Sequence, residues 1–315
     1  MQLAPFQLCS SKRCSLSYLQ HRTSQRFTNE PLFIATMASS PATTPDIRDL
    51  LTPIAKYKLR SHETSLNSHL PLLQPSPTNQ GPSIIFLGDS MFERFLTTGS
   101  SPNFPAPWPS PTLLPTLPAD ANSTRLPHVF NAGVGGDKIQ NISYRLLGSD
   151  SADNPLLGLA AALANVKSVK LWVLHAGTNN LTAKKGLSDV DVEALEAVVR
   201  AVLAVEGAAG TQTRVILTGL HYRKDIPDER VDEANGKLRG LVGRLNADSN
   251  LGGMVRDEGR VSWLGAASGI RREEHLVDHV HLSLEGYQIW VGEVLFPGVV
   301  KILKEMGSLE SVELV

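Results

Sequence analysis

Five short, mostly apolar runs punctuate the chain, at 84–87, 129–130, 169–174, 215–217 and 261–264. Each is too brief for a helix, and the first, Ile84-Ile85-Phe86-Leu87, has no polar position that could face water, as expected of a strand buried on both sides. Longer stretches with helical spacing lie between them. In 189–205, Val192, Leu195, Val198, Val199 and Leu203 fall on one face, and in 232–246, Leu238, Leu241, Val242 and Leu245 do the same. Strands alternating with amphipathic helices call for βαβ units. The expected fold is therefore α/β, a three-layer αβα sandwich around a mostly parallel five-stranded sheet of the flavodoxin-like kind.

The pattern also divides the chain. Gly88-Asp89-Ser90 stops the first strand, and the folded domain is expected over 83–315. Ahead of it, 47–57 has apolar residues at near-helical spacing, and Ser, Asn, His, Pro and Gly then take over, so 37–82 reads as a short helix and a linker. Residues 1–36 carry Lys12, Arg13, Arg22 and Arg26 against the single acid Glu30, and they lack the apolar centre of a secretory signal. They are expected to be a disordered extension or a mitochondrial presequence, with Met37 as an alternative start. Residues 101–118 hold too much proline for regular structure and read as a surface insertion.

Composition narrows the function. Lys and Arg total 30 against 31 for Asp and Glu, so a net charge of -1 offers no field to gather a polyanion, and nucleic acid is not an expected partner. No run of eighteen apolar residues occurs, so no integral membrane segment is expected. Cys9 and Cys14 are the two cysteines, which leaves everything after residue 14 without a thiol for a disulfide, a nucleophile or a zinc ligand. An intracellular, cytoplasmic location is expected, or a mitochondrial one if residues 1–36 are a presequence.

In an open parallel sheet, ligands gather beyond the carboxyl ends of the strands. Four segments near predicted strand ends or loops are unusual. They are Leu87-Gly88-Asp89-Ser90-Met91, Asn131-Ala132-Gly133-Val134-Gly135-Gly136-Asp137, Gly177-Thr178-Asn179-Asn180 and Asp278-His279-Val280-His281. Singly, each has an ordinary explanation: a turn serine, a tight glycine loop, a helix cap, a solvated His-rich loop. Together and in this order they resemble blocks I, II, III and V of the SGNH (GDSL) hydrolase superfamily, most closely the branch of the platelet-activating-factor acetylhydrolase catalytic subunits. The resemblance spans about 81–296. The Gly-x-Ser-x-Gly elbow of α/β-hydrolases is absent, because Phe92 stands where its second glycine would be.

The residue types suit the chemistry that the resemblance implies. A serine hydroxyl becomes a nucleophile when a neutral imidazole takes its proton, and that imidazole needs a carboxylate on its other nitrogen. Ser90, His281 and Asp278 fill those roles, and the three-residue step lets one loop present both partners. Donors for the oxyanion are the N–H of Ser90, the N–H of a loop glycine and the side-chain amide of Asn179. The resemblance selects Gly136; the residues alone leave Gly135 open. Asp89 is assigned to the turn, Asn131 and Asp137 to bracing the glycine loop, and His175 and His221 to packed or rim positions. His279 is the alternative base. Met91, Thr178 and Val280 flank the triad and suggest a small, partly apolar acyl pocket, hence a short acyl group such as acetyl.

The expected activity is thus cofactor-free and metal-free hydrolysis of small esters, rising with pH through the ordinary imidazole value of about 6.5. Two rivals stand beside it. One is a metal-dependent hydrolase built on His275, Asp278, His279 and His281. The other is a carbohydrate- or lipid-binding module that keeps the fold without turnover. Gly133 to Lys138 satisfies neither the dinucleotide nor the phosphate-loop glycine spacing, so no nucleotide is expected. A homodimer is implied by the family branch alone.

Overall fold

The computed structural model describes residues 46–74, 81–95, 129–205, 207, 212–251 and 259–307. The segment 1–36, both cysteines and the insertion at 101–118 lie outside these residues. Among the described residues the chain runs α1 (Ile47–Leu51), α2 (Leu59–Thr64), β1 (Ile84–Gly88), α3 (Ser90–Glu93), β2 (Val129–Gly133), α4 (Ile139–Leu147), α5 (Leu159–Val166), β3 (Leu171–His175), α6 (Asp189–Ala204), β4 (Arg214–Thr218), α7 (Asp228–Ala247), β5 (Val261–Leu264), α8 (Leu284–Trp290) and α9 (Phe296–Glu305). Two-residue strands at Gly148–Ser149 and Leu156–Leu157 pair separately.

The five strands form one sheet in the order β2-β1-β3-β4-β5, and every neighbouring pair is parallel. From β1 the chain steps to one edge and then returns past β1 to build the other side. The order therefore reverses between β1 and β3, which opens a crevice beyond their carboxyl ends.

Both faces of the sheet are covered, which is why β1 is buried at all five positions. On one face Ile85, Leu87, Trp172, Leu174, Val215 and Leu217 pack against Ile139 and Ile142 of α4, Val198 and Val202 of α6 and Leu238 of α7. On the other, Ile84, Phe86, Leu171, Val173 and Ile216 meet Phe92 of α3, Tyr287 and Trp290 of α8 and Val299 of α9. The period-two alternation of the strands sorts these side chains between the two layers.

The sequence pattern places α6 almost to the residue, because Ser188 caps it by accepting the Asp191 N–H at 3.2 Å and Asp189 and Asp191 suit the positive end of its dipole. Helix α7 begins four residues earlier than its apolar stripe suggests. Its first turn, with Asp228 and Glu229, is favoured by the dipole and carries a single apolar residue, the buried Val231.

The expectation of a linker up to residue 82 needs correction. Helices α1 and α2, a wide turn at Ser65–His69 and a further turn at Leu70–Leu72 fold onto the domain, with Leu51 and Leu73 in its core. The helical pattern is hidden because Ser61, His62, Ser65 and His69, all polar, occupy buried positions. His62 Nδ1, for example, lies 2.9 Å from the hydroxyl of Tyr144.

Candidate active site

Strand β1 ends at Gly88, and Asp89 turns the chain into α3 by accepting the N–H of Met91 at 2.9 Å. This cap places Ser90 in the first turn, beside the crevice. Helix α3 rests directly on the end of β2: a Cβ on Gly133 would lie 2.3 Å from the backbone nitrogen of Glu93, so only glycine fits. Asn131 sews the two together, donating from Nδ2 to the Phe92 carbonyl at 2.7 Å and accepting the Gly133 N–H at 2.9 Å.

The loop before α8 brings His281 to this point. Its Nε2 lies 2.9 Å from Ser90 Oγ, and its Nδ1 lies 2.6 Å from Asp278 Oδ2. Asp278 Oδ1 accepts the N–H groups of Val280 at 2.8 Å and His281 at 2.7 Å, so the carboxylate is fixed before it meets the ring. Burial pushes the Asp278 carboxyl up, but these backbone donors and the ring outweigh it and hold it down at about 2. Burial pulls the His281 imidazole below its usual value, against the opposing hydrogen bond that it donates to Asp278. A ring that is neutral at neutral pH, with Nδ1–H held by a carboxylate, offers its Nε2 lone pair to the serine. The lowered value shifts the expected acid limb from 6.5 to a more acidic pH.

The glycine loop is anchored by a buried charge cluster. Asp137 has no exposed surface, and Arg145, equally buried, donates to it from Nε at 2.7 Å. The same guanidinium donates to the carbonyls of Ala132 at 2.8 Å and Gly88 at 3.0 Å, tying the ends of β2 and β1 to the loop. Ser61 and Lys58 also bind Asp137, from the α2 region. Gly136 lies in the left-handed region at φ +74° and is exposed. Asn179 Nδ2 donates to the Asp137 carbonyl at 2.9 Å and lies 3.5 Å from Asp89 Oδ2, which brings the third segment to the first two. Asn180 serves as a cap, accepting the Ile139 N–H that opens α4 at 3.0 Å.

Asp89 itself is fully buried, and burial pushes its carboxyl up to about 7 against the opposing Met91 N–H and Thr178 hydroxyl. The turn role expected for it matches these contacts. His175 and His221 are packed: His175 is held between Thr218 at 2.8 Å and Thr178 at 3.0 Å, and burial lowers its ring to about 3 and that of His221 to about 4. His279, the alternative base, has a side chain 58% exposed and directed at Asp225, 4.0 Å away. His275 turns elsewhere, its Nδ1 accepting the Arg271 N–H at 2.9 Å. Among the described residues no three His, Cys, Asp or Glu side chains stand together as a metal site, so the donors of the metal reading do not converge.

The acyl-pocket residues need a correction. Met91 is 1% exposed and packs with Phe86, Phe92 and Tyr287 in the second core layer, because the helix that begins at Ser90 turns the next side chain inward. The Thr178 hydroxyl is occupied by His175, and its carbonyl accepts from Arg223 at 2.6 Å. Val280, 8% exposed, stays beside the triad.

Several site residues have no sequence signal. Arg94, fully buried, lies with its guanidinium 3.9 Å from Asp278 Oδ2, and Arg60 pairs with Glu93 at 3.0 Å. Lys58, Arg60 and Ser61 come from the stretch read as linker. Arg145 sits inside an amphipathic helix where a cation ordinarily faces water.

A parallel α/β sheet with this array at its switch point has the layout of a hydrolase. The chain belongs to the GDSL-like lipase/acylhydrolase family, whose profile matches residues 86–289, and is a carboxylic ester hydrolase. Among solved structures it is similar to an aryl esterase of M. smegmatis, with 16% identity over 72% of this chain and 100% of that one and a TM-score of 0.47. A carbohydrate acetylesterase from Sinorhizobium meliloti shows 17% identity over 70% and 99%, with a TM-score of 0.47. A carbohydrate esterase family 3 protein from Talaromyces cellulolyticus shows 16% over 71% and 99%, with a TM-score of 0.44. No curated protein sequence matches the chain. No helix among the described residues is long and apolar enough to cross a membrane.

Proposed function

We propose that the protein is a serine esterase that hydrolyses short-chain esters, acetyl esters foremost, through an acyl-enzyme. The observation that carries this is the 2.9 Å approach of Ser90 Oγ to His281 Nε2, with Asp278 on the far nitrogen. Ser90 Oγ attacks the ester carbonyl carbon while His281 takes its proton, and Asp278 stabilises the imidazolium. The carbonyl oxygen, now negative, meets the N–H groups of Ser90 and Gly136 and the amide of Asn179, which exchanges its long 3.5 Å contact with Asp89 Oδ2 for the oxyanion. Collapse breaks the bond to the alcohol, which leaves with the proton from His281. Water then gives its proton to the same nitrogen, attacks the acyl-Ser90 and releases the acid.

The short acyl chain is supported by the motifs shared with the acetylhydrolase branch and by Val280, buried beside the triad. The test is hydrolysis of p-nitrophenyl acetate, butyrate and octanoate by the protein and by Ser90→Ala, with EDTA in a parallel arm. Acetate should be turned over fastest, EDTA should leave the rate unchanged, and Ser90→Ala should abolish it. Turnover that survives in Ser90→Ala and disappears with EDTA would replace this mechanism with a metal-dependent one, and a preference for octanoate would overturn the short-chain specificity.

A further inference from the structure

The loop that carries Gly136 is a four-residue turn closed by a hydrogen bond from the Asp137 N–H to the Val134 carbonyl at 3.2 Å. Gly136, its third residue, has φ +74°, while Gly135, the second, is not among the positive-φ glycines. This is the type II form. Types I and II differ chiefly by rotation of the central peptide, here the one joining Gly135 to Gly136. With no Cβ on either side, little steric resistance opposes that rotation.

The consequence is chemical. In a trans peptide the C=O of one residue and the N–H of the next point in opposite directions, so the direction of the Gly136 N–H is set by where the Gly135 carbonyl points. A flip of this one peptide would turn the donor away from the crevice while leaving the rest of the turn intact.

Lys58 holds that carbonyl. Its ammonium donates to Gly135 O at 2.9 Å and to Asp137 Oδ1 at 3.3 Å, bridging the two sides of the turn. Two residues before Lys58 the backbone is fixed on α4, since the Lys56 N–H donates to Gln140 O and Asn141 Nδ2 donates to Lys56 O, each at 2.9 Å. A second grip comes from Glu93, which accepts the Gly135 N–H and is paired with Arg60 at 3.0 Å. Both cations stand upstream of residues 86–289, the part of the chain that matches the family profile.

We propose that Lys58 is a positioning residue for ester hydrolysis: by holding the Gly135 carbonyl it keeps the Gly136 N–H directed at the developing oxyanion. The inference rests on the assignment of Gly136 as an oxyanion donor made above. A charged donor on the carbonyl also polarises the same peptide, which strengthens its N–H as a donor.

The test compares Lys58→Met and Lys58→Arg in the full chain. It reads kcat and KM for p-nitrophenyl acetate, the inhibition constant of a trifluoromethyl ketone, and the fraction of serine titrated by an organophosphonate. Lys58→Met should lower kcat roughly 10-fold to 100-fold, at or below the loss from deleting one oxyanion donor. KM should stay within about twofold, since the lost contact acts in the transition state. Affinity for the ketone, which forms an oxyanion on Ser90, should fall by the same factor as kcat, and Lys58→Arg should recover most of both. An unchanged kcat would overturn the proposal. So would a loss of rate matched by a loss of titratable serine, which marks a merely structural role. An active Ser90→Ala would instead overturn the esterase mechanism, and this inference with it.

Discussion

Replacing Asp278 by Asn tests the site at its most determined point. The two backbone N–H groups of Val280 and His281 donate to Asp278 Oδ1 at 2.8 and 2.7 Å. An Asn oxygen must stay on those donors, so its NH2 must take the place of Oδ2, 2.6 Å from His281 Nδ1. A donor there forces Nδ1 to be the acceptor. The ring proton then moves to Nε2, facing Ser90 Oγ, and no lone pair remains to accept the serine proton. Where an orienting carboxylate has been replaced in this way, the rate falls about 10⁴-fold, or roughly 5.5 kcal/mol of barrier. The fold should survive, because the two backbone hydrogen bonds persist and the third is kept with its direction reversed. Steady-state hydrolysis of p-nitrophenyl acetate, set beside a thermal melt, reads both. A variant that folds and keeps more than about a tenth of the activity would refute the tautomer argument and remove Asp278 from the site.

Two further expectations follow from the same geometry. Since His281 must be neutral to accept a proton and burial lowers its value, kcat/KM should fall only as the pH drops through a midpoint below the ordinary 6.5, and a midpoint at or above about 7 would contradict the burial argument. Arg145→Met should cost about 3–5 kcal/mol in chemical unfolding, because it leaves Asp137 buried with one cation lost and strips a donor from the Gly88 and Ala132 carbonyls. A cost under about 1 kcal/mol would mean that Lys58 and Ser61 suffice for that carboxylate.

How much of the molecule is legible in its sequence depends on whether a feature announces itself over a few neighbouring residues. The apolar runs did: 84–87 is so short and so continuous that only a doubly covered strand uses it, and the alternating helices then leave a parallel sheet as the solution. The candidate triad was reached through the resemblance of four motifs in order, since singly each had an ordinary reading. Asp278 and His281 share one loop, so that pair is local, whereas the approach of His281 to Ser90, 191 positions apart, is tertiary. The glycine loop stands out because a bare backbone beside a strand end is locally visible, but the choice of Gly136 over Gly135 came from the resemblance alone.

What remained hidden was decided between distant segments. Lys58, Arg60 and Ser61 lie in a stretch whose buried positions are filled mostly by serine and histidine, so its apolar period is weak. Arg145 reads as one more surface cation of a helix until packing encloses it, at no exposure, against Asp137. Met91 adjoins the nucleophile in sequence yet faces the core, since a helical step rotates each side chain about 100° from the last. The chain by itself determined which groups could react; the tertiary structure decided that Ser90 meets His281 and that Asp137 is enclosed by Arg145, Lys58 and Ser61. Covalent neighbours constrain direction over only a few residues, and the orientation of one peptide between two glycines is set by an ammonium 77 positions earlier.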